Sequence, residues 1–264
     1  MRIITIGQRK GGNGKTTSAL NLAHAFAELG ARVLLIDLDD QKNSTSAIQT
    51  TTAPTKTVEE LLLDPTVSVA DAAVTTTWPG VSLVASSSNL SGAIRELDGE
   101  VGSHLVLGEK LRACTDYNMV FIDTSPSLNI LVVNALCASD WLLVPLSSKY
   151  FSLQGLEQTL EAFRKTQKRL NPSLGLLGLA FVIHDRRSSL AVEVMEKARS
   201  AYPELVCQAW VGQNIKIEEA QVARQSILGY APADRGAKQY RDLALELAKR
   251  MKIPEVGDGQ ATSE

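Results

Sequence analysis

Residues 10–17, Lys-Gly-Gly-Asn-Gly-Lys-Thr-Thr, constrain this chain more than any other stretch. The apolar run Arg2–Ile6 before them predicts a short buried strand, and the pattern from Thr16 to Leu29 predicts a helix that stops at Gly30. A glycine-rich turn between a strand and a helix lets backbone N–H groups point at phosphate oxygens, and the helix N-terminus adds positive potential. The stretch therefore predicts a phosphate-binding loop.

Two lysines flank the glycines of this loop. The general pattern G-x-x-x-x-G-K-[ST] requires glycine at position 9, where this chain has Arg9, and Lys10 precedes the glycines instead. A turn without a ligand would give neither lysine a packing role. The arrangement resembles the deviant Walker A box of the ParA/MinD superfamily of ATPases. That resemblance implies that Lys15 contacts the β- and γ-phosphates of ATP, that Thr16 ligates Mg²⁺, and that Lys10 reaches the nucleotide of a second subunit. The expected nucleotide-binding residues are Gly11, Gly12, Asn13, Gly14, Lys15, Thr16 and Thr17.

A second buried strand is predicted at residues 32–39, and it ends in acidic residues. Carboxylates at the C-terminal ends of parallel strands lie where α/β sheets bind ligands, although a solvated acidic loop is the alternative. The stretch resembles the family's D-x-D-P-Q-x-N-[AS]-T box, with Asp40 in place of proline and Lys42 at a position that is often glycine. The resemblance implies that Asp39 positions or polarises the attacking water and that Asp37 supports the Mg²⁺ shell.

A third diagnostic strand is predicted at residues 118–123, where an apolar run again ends in a carboxylate. Such a strand is typical of a Walker B element, so Asp123 is a predicted Mg²⁺ ligand. The next residues, 124–128, resemble the D-T-P-P-S-L loop of the family, with Ser125 at the first proline. In relatives this loop changes with the γ-phosphate state, which makes it a candidate switch.

Strand and helix patterns alternate along the rest of the chain. We expect helices at residues 58–63, 105–114 and 130–138, and strands at residues 81–85, 141–146 and 174–184. This alternation predicts an α/β fold with a mainly parallel twisted sheet and helices on both faces. Together with the loop, it indicates a P-loop NTPase of the deviant Walker A type. Because no repeat or linker interrupts the pattern, we expect a single ATPase domain at 1–252 and a flexible polar tail at 253–264.

Composition narrows the functional classes. No apolar run approaches the ~20 residues that cross a bilayer, so we expect no membrane partner. Three scattered cysteines without a C-x-x-C pair argue against disulfides, zinc and an iron–sulfur cluster, which indicates a cytoplasmic location. Residues 1–148 carry 10 Lys+Arg and 15 Asp+Glu, whereas residues 149–252 carry 17 and 11. The basic half is either a polyanion-binding face or a set of solvated helix surfaces.

Two segments of the basic half also resemble the family. Residues 184–187 are similar to M-x-D-x-R, and residues 214–220 are similar to R-N-V-R-L-[SA]-E-A, with Gln213 at the common arginine. In ParA-type relatives, basic residues at these places form a dimer-dependent, sequence-independent DNA surface, and polar ones border the adenine. By position, the resemblance implies DNA-binding roles for Arg187 and Lys216 and base-pocket roles for Asp185 and Asn214. Arg224, at a usual glycine, is a further DNA-binding candidate, because it would compensate for the arginine that Gln213 replaces.

The resemblance extends from Arg2 to about Met251 and is specific to the ParA/Soj branch. It implies an ATPase for plasmid or chromosome partition that forms an ATP-dependent sandwich homodimer with Mg²⁺. The dimer would bind nonspecific double-stranded DNA, and a ParB-type partner would stimulate its weak hydrolysis at the nucleoid. A MinD-like positioning ATPase is disfavoured by the acidic tail, and a nitrogenase-iron-protein-like carrier by the cysteine arrangement. An ATP-dependent small-molecule ligase of the same superfamily stays open.

Overall fold

The computed structural model of the chain describes residues 1–148, 152–185 and 188–253. Within these ranges, seven strands form one sheet in the order β3-β4-β2-β5-β1-β6-β7. All neighbouring pairs are parallel except β3 and β4, which pair antiparallel at one edge. The strands are β1 (Arg2–Ile6), β2 (Val33–Leu38), β3 (Ala73–Thr75), β4 (Val81–Val84), β5 (Met119–Thr124), β6 (Trp141–Leu146) and β7 (Gly175–Phe181).

Helices connect the strands and cover both faces of the sheet. In chain order they are α1 (Lys15–Glu28), α2 (Asn43–Ser46), α3 (Val58–Leu63), α4 (Val69–Ala72), α5 (Leu90–Leu97), α6 (Val106–Arg112), α7 (Ile130–Ala138), α8 (Ser152–Arg169), α9 (Ser189–Ala201), α10 (Ile215–Val222), α11 (Ile227–Tyr230) and α12 (Arg235–Arg250). A 3₁₀ turn at Ser103–Leu105 precedes α6. No helix in the described ranges is both long enough and apolar enough to pass through a bilayer.

Alternate residues of the central strands face two hydrophobic clusters, because successive side chains of a strand point to opposite sides. On β2, Leu35 packs with α1 and α12, whereas Leu34 and Ile36 pack with α3, α5 and α7. On β5, Phe121 lies in the same cluster as Leu35, and Ile122 lies in the same cluster as Leu34 and Ile36. Every residue of both strands is buried, as expected for parallel strands covered on both faces. The predicted α/β sheet with helices on both faces is confirmed.

Local sequence patterns located most elements closely, and the exceptions have physical causes. The helices at 58–63 and 130–138 and the strand at 141–146 have their expected bounds. The last strand ends at Phe181 rather than 184, because His184 forms only an isolated bridge to Gly212. The three-residue edge strand β3 is too short to leave a periodic signal.

Ile253, where the expected tail begins, is the last residue that the structure describes. Ile253, which the sequence placed in the tail, packs on the cluster under α12, and its N–H donates to the Ala248 carbonyl at 3.0 Å. Residues 254–264 lie outside the described residues.

The sheet order brings the three predicted motifs together. From β1 the chain moves to β2, β3 and β4 on one side, and after β5 it moves to β6 and β7 on the other. The carboxyl ends of β1, β2 and β5 therefore border the point where the winding reverses, which is where such sheets bind ligands. Register pairs Asp123 with Ile6 on one neighbour and with Asp37 on the other. The phosphate-binding loop and both acidic strand ends thus share one edge.

Candidate nucleotide-binding site

The glycine-rich loop leaves β1 with its backbone open on one side. Gly14 is the N-cap of α1 in a left-handed conformation, with φ of 76°, and a Cβ there would lie 2.8 Å from Val182 Cγ2. Both the conformation and the close approach require glycine. In contrast, nothing lies within 4 Å of a Cβ built at Gly11 or Gly12. The loop therefore packs tightly against Val182 at Gly14, whereas the side at Gly11 and Gly12 is open and can receive phosphate oxygens.

Lys15 lies in the first turn of α1 and is only 7% exposed. Burial lowers the pKa of Lys15, while the negative charges of Asp123 and Asp39 raise it. A buried ammonium group is costly unless an anion lies close to it, so a phosphate bound at the open front of the loop would stabilise the charge of Lys15. This is the position expected for the lysine that contacts the β- and γ-phosphates.

Asp123, at the end of β5, is fully buried, yet only one of its oxygens has a hydrogen-bond partner. Ser44 Oγ donates to Oδ2 at 2.8 Å, whereas Oδ1 has none. Burial, with a smaller effect from Asp37, raises the pKa of Asp123 to about 7, and the hydrogen bond from Ser44 and the nearby Thr16 hydroxyl lower it in part. A buried carboxylate oxygen without a partner, beside a threonine hydroxyl, fits the oxygen ligands that Mg²⁺ prefers. Mg²⁺ held there would neutralise charge on the β- and γ-phosphates.

Asp37 is equally buried, but its oxygens are already engaged. Oδ1 accepts from the Asp39 N–H at 3.1 Å, and Oδ2 accepts from the N–H and Oγ1 of Thr45 at 2.8 and 2.7 Å. Burial raises the pKa of Asp37 to about 6. These contacts fix the chain on both sides of the acidic loop. Because its oxygens already accept these hydrogen bonds, Asp37 is better suited to hold the neighbouring residues of the metal site in place than to bind the metal itself.

Asp39 borders a cavity of about 650 Å³ in front of the phosphate-binding loop. Its Oδ1 accepts from the Gln41 N–H at 3.0 Å, and its carbonyl accepts from Ser86 Oγ at 2.7 Å. Burial raises the pKa of Asp39, partly offset by the Gln41 bond. Lys42, just beyond, has a φ of 53°, which agrees with the glycine often found at this place in the family. The carboxylate is therefore fixed at the wall of the cleft, as expected for a residue that positions water.

Three residues outside the predicted motifs, Ser147, Thr159 and Gly155, support the loop. Asn13 Oδ1 accepts from Ser147 Oγ at 2.7 Å, while the buried Nδ2 of Asn13 has no hydrogen-bond partner. The Arg9 N–H donates to Thr159 Oγ1 of α8 at 3.1 Å. A Cβ at Gly155 would approach Lys10 Cβ to 3.0 Å, so the start of the loop packs closely against α8. These pairs are more than 130 residues apart, and no local pattern could reveal them.

The two expected base-pocket residues lie on adjacent segments. The His184–Gly212 bridge and the bond from the Gln213 N–H to the His184 carbonyl, at 3.2 Å, hold these segments together beside Val182. Asn214 is the N-cap of α10, and its Oδ1 accepts from the Lys216 N–H at 3.0 Å. Its Nδ2 donates to Asp234, the N-cap of α12. Asp185 and Asn214 are therefore brought together, next to the loop that carries Gly14.

The predicted DNA-binding residues that the structure describes are more exposed than Lys15 and the buried aspartates around the phosphate-binding loop. Lys216 is 51% exposed, with its Nζ 3.6 Å from Asp234 Oδ2. Arg224 is exposed and has a φ of 55°, and its carbonyl accepts from Trp78 Nε1 at 3.2 Å. The left-handed conformation explains why glycine is usual at this position in the family. Arg187 lies outside the described residues.

Comparison with known proteins agrees with this site. The family model described as an AAA domain matches residues 1–176. The chromosome partitioning protein ParA of Caulobacter vibrioides is 36% identical over 253 residues, which cover 95% of each chain. The sporulation initiation inhibitor protein Soj of Bacillus subtilis is 35% identical over 249 residues, 94% of this chain and 98% of the relative.

A solved structure extends the agreement to the ligands. Cobyrinic acid a,c-diamide synthase from Mycobacterium smegmatis, with bound ATP analog and magnesium, superposes with a TM-score of 0.82 at 29% identity over 96% of each chain. In this chain, the open loop and the unpaired oxygen of Asp123 are the groups that would hold such ligands. The extent and identity of the sequence matches show that the chain belongs to the ParA/Soj family of partition ATPases.

Proposed function

We propose that this protein partitions DNA by cycling between an ATP-bound dimer, which holds nonspecific DNA, and released monomers. The observation that carries the proposal is the geometry of the phosphate-binding edge, which is the side of the sheet formed by the carboxyl ends of β1, β2 and β5. Lys15 is buried beside an open glycine loop, and Asp123 keeps one oxygen without a partner. Such a site binds MgATP and stabilises charge on the transferred phosphoryl group. Hydrolysis by water that Asp39 positions would end the bound state.

Lys10 would connect the nucleotide to dimerisation. Its Cβ lies close to Gly155 of α8, and Lys10 is not among the residues that border the 650 Å³ cavity. From there it would contact the phosphates bound to a second copy of the chain, and the second copy would do the same in return. Each bound ATP would thereby join two subunits, and its hydrolysis would separate them.

The basic residues after β7 would supply the DNA contacts. Lys216 and Arg224 are exposed on the segment formed by α10 and the turn after it, and Arg187 is assigned by family resemblance alone. Contacts of this kind bind phosphates without reading bases, and they weaken steeply with salt. Because a dimer presents this surface twice, ATP would gate DNA binding. A ParB-type partner would then stimulate hydrolysis, and the protein would associate with the nucleoid.

The test is binding to random-sequence duplex DNA with ATP, with ADP and without nucleotide, over a salt series. Binding that requires ATP and falls steeply with salt is the expected result. Lys10→Ala should bind ATP normally but lose both the ATP-dependent dimer, measured by light scattering, and the DNA affinity. A dimer that survives Lys10→Ala would contradict the role across the interface.

The similarity to a diamide synthase gives a second candidate function, a small-molecule ligase that uses the same ATP site. Such an enzyme would bind DNA equally weakly in all three nucleotide states, and its ATP hydrolysis would depend on a metabolite rather than on DNA and a protein partner. The salt series therefore separates the two functions.

A further inference from the structure

Helix α10 connects two parts of the proposed nucleotide site. Its N-cap, Asn214, is one of the two base-pocket candidates. Near its other end, Gln221 Nε2 donates to Thr17 Oγ1 of the phosphate-binding loop at 3.0 Å. Gln221 is seven positions after Asn214, which corresponds to about 10 Å along a helix. One short helix thus extends from the proposed adenine end of the site to the phosphate end.

The nucleoside must leave the loop near Thr17. In loops of this type the lysine reaches the β- and γ-phosphates, and the backbone amides at the helix start hold the α- and β-phosphates. Thr17 is two residues beyond Lys15, on the side that Gln221 contacts. A nucleotide whose base lies near Asp185 and Asn214 would therefore place its sugar along α10.

Glu218 is the residue of α10 that occupies this middle position. It is four residues after Asn214 and three before Gln221, so helical spacing puts all three on one side of the helix. Glu218 and Gln221 both border the 650 Å³ cavity. Within the described parts of the chain, the Glu218 carboxylate makes no hydrogen bond or ion pair. The family pattern has serine or alanine at this position, where this chain has glutamate.

We propose that Glu218 accepts hydrogen bonds from the 2′- and 3′-hydroxyls of the bound ribose, and that it makes the site select ribonucleotides. A carboxylate only accepts hydrogen bonds, and two adjacent hydroxyls offer it two donors. Gln221 orients the Thr17 hydroxyl at the phosphate end of the same path. The assignment rests on the nucleotide placement in the proposed function.

The test uses ADP and 2′,3′-dideoxy-ADP, because neither requires dimerisation or hydrolysis. Calorimetric titration with Mg²⁺ should show wild-type protein binding the dideoxy nucleotide about tenfold more weakly than ADP. Glu218→Ala should bind both nucleotides with the affinity that wild type has for the dideoxy form. Glu218→Ser, which restores a residue of the family pattern, should lose most of the preference.

The matched control is Glu219→Ala, which removes the same charge from the next position of α10. Glu219 does not border the cavity, and it contacts the Tyr230 hydroxyl at 3.4 Å instead. This variant should keep the wild-type preference. A tenfold preference that persists in Glu218→Ala, or equal binding of both nucleotides by wild type, would overturn the assignment. The partition cycle is tested by DNA binding, so the two proposals can fail separately.

Discussion

The phosphate-binding edge differs from the basic surface, which is the segment from α10 to α12 that carries the exposed Lys216 and Arg224. The difference is in whether the charged side chains are buried or exposed. At the edge, Lys15, Asp37, Asp39 and Asp123 are all buried, and protein groups hold the aspartate side chains in place. On the basic surface, Lys216 and Arg224 are exposed, and Lys216 Nζ lies 3.6 Å from the nearest Asp234 oxygen. Buried charges act through fixed geometry, whereas exposed charges act through number and salt-dependent attraction. A single substitution should therefore have large effects at the edge and small ones on the surface.

One side of α1 joins the two regions. Four of its polar residues follow the 4-3-4 spacing of a helix face, and each contacts the C-terminal part of the chain. The contacts are Thr17 with Gln221, Asn21 with the Ile227 N–H at 2.8 Å, His24 with Ser226 Oγ, and Glu28 with Arg241 at 2.7 and 2.9 Å. The helix that begins at the phosphate-binding loop therefore also holds the basic surface in place.

The largest expected effect is at Lys15. Lys15→Ala removes the only buried ammonium group at the described part of the loop, so we expect ATP affinity to fall at least 100-fold, about 3 kcal/mol, because charge-assisted bonds to the phosphates disappear. Isothermal titration with MgATP measures this change. Lys165→Ala, at an exposed lysine of α8 paired with Glu161, should bind as wild type. A decrease of less than tenfold at Lys15 would contradict the assigned role.

Substitutions at the two buried aspartates should have different effects. Asp37→Asn should lower the stability of the fold, whereas Asp123→Asn should weaken Mg²⁺-dependent ATP binding. Asp37→Asn would direct an amide N–H₂ at groups that already donate, so we expect a decrease of about 1–3 kcal/mol in the free energy of unfolding. Asp123→Asn removes a buried charge with an unpaired oxygen, so the protein without ligands should be as stable or more stable. That variant should instead lose the Mg²⁺-dependent stabilisation by ATP. Urea unfolding with and without MgATP measures both, and equal destabilisation by the two substitutions would contradict the division.

Substitutions on the basic surface should have effects of a few fold. Arg224→Ala should weaken ATP-dependent DNA binding and lower the salt slope by about 0.9 for each phosphate that the side chain no longer neutralises, whereas Arg224→Lys should keep the slope. Arg224→Gly should weaken DNA binding equally, yet stabilise the fold by about 1 kcal/mol because it relieves the left-handed backbone. DNA titrations and urea unfolding measure the two effects. A salt slope unchanged in Arg224→Ala would remove this residue from the DNA surface.

The smallest expected effect is a pH dependence where α1 meets the C-terminal part of the chain. Burial lowers the pKa of His24, so the folded state disfavours its protonated form. His24 therefore stabilises the fold fully above the unfolded pKa of about 6.5, and this contribution falls as the pH drops below that value. His24→Gln should flatten the slope between pH 5.5 and 7 by less than about 1.4 kcal/mol per pH unit. An unchanged slope in His24→Gln would exclude the effect.

Local sequence determined the phosphate-binding edge almost completely. The loop at 10–17 and the strands that end at Asp37 and Asp123 are continuous segments, and parallel strands bring their carboxyl ends to one side. Family resemblance also marked Lys42 and Arg224 as positions where glycine is usual, and both have positive φ.

Only the tertiary structure determined which hydrogen-bond partners each of these charged side chains has. The difference between Asp37, with three donors, and Asp123, with an unpaired oxygen, depends on Ser44, Thr45 and the register of two strands. The return of α10 to the loop joins Gln221 to Thr17 across 204 residues. Periodicity records which side of an element is buried, but not which distant element covers it. Pairings between distant segments therefore leave no local signal, and here they bring Glu218 to the border of the ATP cleft.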